Sequence, residues 1–64
     1  MKDKNGKIIK EGMEVDVPVP NESDMHNFEF RGYVDGFRNG NVLVLDGDMN
    51  YFEIEPERLE VVED

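Results

Sequence analysis

Cysteine and tryptophan are absent from this chain, and histidine occurs once, as His26. Without thiols there is no disulfide framework and no thiolate metal site, and the composition fits a reducing compartment. A histidine-based metal centre would have to be completed by carboxylates or by a second chain. Long apolar runs are missing too. The longest, Val42 to Leu45, has four residues, against the ~20 that a spanning helix needs. The lysine-rich start has no apolar segment behind it, so neither a membrane span nor a signal peptide is expected, and the expected location is the cytoplasm. Nowhere does a helical repeat extend beyond one turn.

Positive charge is scarce. Seven lysines and arginines stand against sixteen aspartates and glutamates, a net charge of −9. The few cations are also unevenly placed: residues 1–10 carry four lysines and one aspartate, so residues 11–64 hold a net −12. Such a body repels phosphate backbones and attracts basic partners, besides keeping a small protein soluble. At 64 residues the chain is one domain that buries only about 60% of its unfolded surface, which leaves little room for a deep substrate cavity.

What is present is a pattern of period two. Residues 13–19 (MEVDVPV) alternate apolar with polar or proline, the mark of a half-buried strand that stops at Pro18 or lies at an edge. Residues 20–27 (PNESDMHN) read as a loop. Residues 28–37 (FEFRGYVDGF) form the longest strand, with Gly32 and Gly36 marking a bend or bulge. Arg38-Asn39-Gly40-Asn41 is a hairpin turn. Residues 41–45 (NVLVL) are apolar on both faces and suit a central strand, and Asp46-Gly47-Asp48 turns the chain into residues 51–55. Pro56 to Leu59 suit a single 3₁₀ turn, and residues 60–62 form the last strand. The expected core is Val15, Val17, Phe28, Phe30, Val34, Val42, Val44, Phe52, Ile54, Leu59 and Val61. Tyr33 and Phe37 fall on the opposite parity unless a bulge shifts the register. Ile8 and Ile9 either tuck against the sheet or make a short edge pairing.

Two stretches invite a reading as chemical sites. In residues 46–57 (DGDMNYFEIEPE), Asp46, Asp48, Asn50 and Glu57 have the spacing of a calcium loop. Such a loop needs glycine at its sixth position and a helix on each side. Here the sixth residue is Tyr51 and the flanks have strand character, so the carboxylates read as turn residues. Ser23, Asp24 and His26 share one loop with no oxyanion donor in view, which is not a nucleophile set. No catalytic residue, cofactor or metal is expected.

The order of elements, and above all RGYVDGFRNGNVLVLDGDMNYFEIEPERLEVV, resembles the SH3-like small barrel shared by SH3, Tudor and KOW-type domains. This implies an all-β, five-stranded barrel over residues 12–64, preceded by a polar arm over residues 1–11. KDKNGKIIKEG separately resembles the opening of small phage and mobile-element proteins of the YopX type, and implies a bacterial or phage origin. The Tudor likeness implies an aromatic and acidic rim, here Tyr33, Asp35, Phe37 and Tyr51. It would hold a basic or methylated side chain by cation–π attraction and charge. The plainer alternative is that these aromatics cover the open end of the barrel or pack on Ile8 and Ile9. The KOW likeness implies contact with RNA or ribosomal proteins through Lys2, Lys4, Lys7 and Lys10. The expected function is non-enzymatic protein interaction with a basic or extended peptide, with nucleic-acid association through the lysine-rich arm as the alternative.

Overall fold

The computed structural model describes residues 1–22, 26 and 28–63. Ser23 and Asp24 of the nucleophile set considered above therefore lie outside the described residues. Five strands form one antiparallel sheet in the order β4-β3-β2-β1-β5: β1 (Glu14–Val17), β2 (Phe30–Arg38), β3 (Asn41–Leu45), β4 (Tyr51–Ile54) and β5 (Glu60–Val61). One 3₁₀ turn, Pro56–Arg58, precedes β5, with proline in its first turn, where the missing N–H goes unused. The fold is all-β, as the period-two pattern requires. The sheet is open: β4 and β5 are its two edges, and no ladder joins them. Among the described residues no helix is long and apolar enough to cross a membrane.

Alternation places Val15, Val17, Val34, Val42, Val44, Ile54, Leu59 and Val61 in the core, with Phe30 and Phe52 packed partly buried against it. Phe28 departs from the expected core and is 77% exposed. Parity holds only inside a ladder, and β2 begins at Phe30, so nothing aims the Phe28 ring inward. Ile9 joins the core while Ile8 stays exposed. Within residues 1–11, expected as an arm, Asp3 and Lys4 bond at and just before β5. Lys2 bridges Ile8, the Lys4 N–H donates to the Leu59 carbonyl, and the Asp3 carboxylate accepts the Val61 N–H at 2.8 Å.

Asp3 and Asp46 organise two turns in the same way. The Asp3 carboxylate accepts the N–H groups of Asn5 and Lys7, and that of Asp46 accepts those of Asp48 and Asn50. In each turn the third residue after the aspartate has a positive φ: Gly6 at 81° and Met49 at 67°. Glycine accepts that conformation freely, whereas a side chain costs ~1–2 kcal/mol there. Met49 is exposed and has little packing to lose. Met49→Gly should therefore raise stability by about 0.5 kcal/mol or more, once glycine's own ~0.5–1 kcal/mol of chain entropy is set against the relief. Urea unfolding would read this as a higher midpoint at unchanged slope, and a lower midpoint would show that Met49 is not strained.

Candidate functional site

The outer face of the sheet carries a row that crosses four strands. Glu14 pairs with Tyr33, Tyr33 with Leu45, and Leu45 with Tyr51. Directly opposed residues share a face; the neighbouring positions Val15, Val34 and Val44 are buried and Phe52 packs half-buried against the core, so this row faces away from it. Tyr33 is 56% and Tyr51 58% exposed, on either side of the half-buried Leu45. In the next row Leu43 pairs with Glu53 on one side and Gly36 on the other.

The four expected rim residues do not come together. The pairing Val34↔Val44 is followed by Gly36↔Leu43, so Asp35 is the extra residue of a β-bulge. Beyond it the parity of β2 is reversed. Phe37 pairs with Val42, which pairs with Ile54, so Phe37 ends a core row on the face opposite Tyr33. It is 42% exposed because the strand runs out there. Tyr33 and Tyr51 thus share a surface that Phe37 does not reach, and Leu45, which counted only as part of a central strand, joins them. The glycine at position 36 was the signal for the bulge, but its exact place was needed to assign the faces.

The electrostatics of this face are acidic. Glu60, Asp16 and Arg31 follow one another across β5, β1 and β2. The Arg31 Nε donates to Asp16 at 2.8 Å. That hydrogen bond, then the charges of Asp16 and Glu14, hold the guanidinium above its ordinary range. The one arginine of this row is thus matched by Asp16, while Glu14 and Glu53 flank the tyrosines. Of the lysines proposed for phosphate contact, Lys4 pairs with Glu60 at 3.3 Å and Lys7 with Glu63.

His26, read from sequence as part of a solvated loop, is instead only 4% exposed. Its Nε2–H donates to the Pro18 carbonyl at 2.8 Å, and its ring stands edge-on to Phe30 and Phe52. These contacts tie position 26 to the sheet. Nothing in the local sequence signalled this, because the partners are Pro18, just past β1, Phe30 of β2 and Phe52 of β4. The Asp46 carboxylate is occupied by two backbone N–H groups, and the Asn50 N–H leads the influences that lower its pKa. Strand β4 begins inside the calcium-like window, which is therefore a hairpin turn. Among the described residues no group of three histidine, cysteine or carboxylate side chains is arranged to hold a metal ion. No protein-family model, no curated protein and no solved structure matches this chain.

Proposed function

We propose that this protein is a small interaction module of the SH3-like kind that binds a basic, extended segment of another protein on the outer face of its sheet. The observation that carries this reading is the contiguous row of exposed Tyr33, half-buried Leu45 and exposed Tyr51, with Glu14 at its end and Glu53 beside it. Tyrosine gives a large, stiff contact at little entropic cost and is enriched in protein interfaces. A lysine or arginine laid over either ring gains cation–π attraction and meets carboxylates at once. The net charge of −9 speeds encounter with a basic partner and opposes a phosphate backbone. No chemical step is needed for this role.

Titration of the ¹⁵N-labelled protein with a lysine-rich peptide should move the amide signals of Tyr33, Leu45 and Tyr51, and rising salt should weaken the binding. Tyr33→Ala and Tyr51→Ala should each weaken it about tenfold. Neither should greatly change thermal stability, because both rings are more than half exposed. Binding that maps to the opposite face, or that survives both substitutions, would refute the proposal.

A further inference from the structure

The two edges of the sheet are treated differently. At β5 the N-terminal segment takes up the Val61 N–H, accepted by Asp3, and just before it Lys4 donates to the Leu59 carbonyl. At β4 the described residues provide no such cover. The direction of its backbone groups follows from alternation. The Asp46 N–H donates to the Asn50 carbonyl, which places 46 opposite 50 at a bonding position, although the Asn50 N–H goes to the Asp46 carboxylate. Counting along the antiparallel ladder, Leu45↔Tyr51 is a non-bonded pair, Val44↔Phe52 a bonded one, Leu43↔Glu53 non-bonded and Val42↔Ile54 bonded. The Val34 N–H and carbonyl, which bond Met13 and Gly12, set the same phase from the other side of the sheet, since Val34 opposes Val44. Phe52 and Ile54 therefore spend their groups on β3. The N–H and carbonyl of Tyr51 and Glu53 point away from the sheet.

The geometry points to β4 as the place where an extended, basic segment of another protein adds as a sixth strand, bonded to Tyr51 and Glu53. This rests on the outer-face reading above for the charge of the partner. The side chains of Tyr51 and Glu53 share the outer face with Tyr33 and Leu45, so an added strand extends the same surface. Its residues opposite Tyr51 and Glu53 would be lysine or arginine, one over a ring and one against a carboxylate. Its alternate residues would be apolar, beside Phe52 and Ile54. A second copy of this chain is a poor occupant, because two bodies of net charge −9 repel.

The probe is a capped eight-residue peptide of alternating lysine and valine, compared with the same peptide N-methylated at every second residue so that one edge loses its donors. Strand addition predicts slowed hydrogen exchange at the Tyr51 and Glu53 amides on binding, and about tenfold weaker binding of the N-methylated peptide. Glu53→Pro removes an outward N–H and no bond to β3, so the variant should fold and bind about tenfold less well. Glu53→Gln tests the charge separately and should reduce the salt dependence. Amide shifts at Tyr33 and Leu45 without protection at Tyr51 and Glu53, and with equal affinity for both peptides, would overturn strand addition and leave the outer-face reading standing. No binding of either peptide at low salt would remove both. Protection of the same two amides in the free protein, rising with its concentration, would assign the edge to a second copy and overturn the partner named here.

Discussion

Gly32→Ala is expected to destabilise the protein by about 3 kcal/mol, the upper end of the usual cost of overpacking. At ~4–8 °C per kcal/mol for a domain of this size, that is a fall of roughly 15 °C in Tm. The cause is close approach. A Cβ at position 32 would stand 2.5 Å from the Leu45 carbonyl oxygen and 2.9 Å from Val44 Cγ1. The oxygen belongs to β3, paired on both sides, and cannot step aside without opening the β2–β3 pairing, and Val44 is fully buried. Gly36 supplies the control. A Cβ there would meet only the Glu11 carboxylate, at 3.9 Å. Gly36→Ala should be close to neutral, although both glycines sit in the same strand. Thermal melts of the two variants decide the matter: equal Tm values would mean that β2 and β3 do not approach each other as described.

Asp3→Ala is expected to cost about 3 kcal/mol as well. The carboxylate accepts three backbone N–H groups, from Asn5, Lys7 and Val61. The bond to Val61 is buried, and an acceptor lost from a buried donor costs ~1–3 kcal/mol, more where the acceptor is charged. Asp3→Asn keeps an oxygen and should lose about 1 kcal/mol. Acid should act in the same direction. Burial pushes the Asp3 carboxyl up, but the hydrogen bonds from Val61, Lys7 and Asn5 and the charge of Lys7 together outweigh it, and the net shift is downward. A depressed carboxyl stabilises the fold fully above its unfolded value of about 3.9 and loses that contribution as pH falls through the lower folded value. Urea unfolding between neutral pH and pH ~2 should show a drop below pH ~4 that is smaller in Asp3→Asn. The same drop in both proteins would assign the acid sensitivity to other carboxylates. The exposed pairs Lys4–Glu60 and Lys7–Glu63 contribute little beside this, since both partners remain well solvated.

Much of the fold was legible because its signals are local. Asn39 and Gly40 both take positive φ, as an Asn-Gly hairpin requires. Strand β3 matches the run 41–45 residue for residue, and the 3₁₀ turn starts at the proline that suits it. The misplaced aromatics of β2 and its entry have one source. Period-two parity carries a side chain to the correct face only while the ladder is unbroken. It fails before the ladder starts, at Phe28, and after the bulge at Asp35, at Phe37. The candidate surface was half visible: parity sets Tyr33 on the outer face and the rim resemblance names Tyr51, while Leu45 joins them only through the register of three strands.

Propensity, alternation and turn chemistry act over a few neighbouring residues, and with the composition they are enough to make this chain all-β, acidic and thiol-free, with turns at Asn39-Gly40 and Asp46-Gly47. Only the packing of distant residues shows that Asp3 bonds at the β5 edge, that His26 stands edge-on against two phenylalanines, and that Tyr33 and Tyr51 share a face without Phe37. Each of these depends on residues far apart in the chain meeting at one register, and a one-residue bulge is enough to send a side chain to the other side of a sheet.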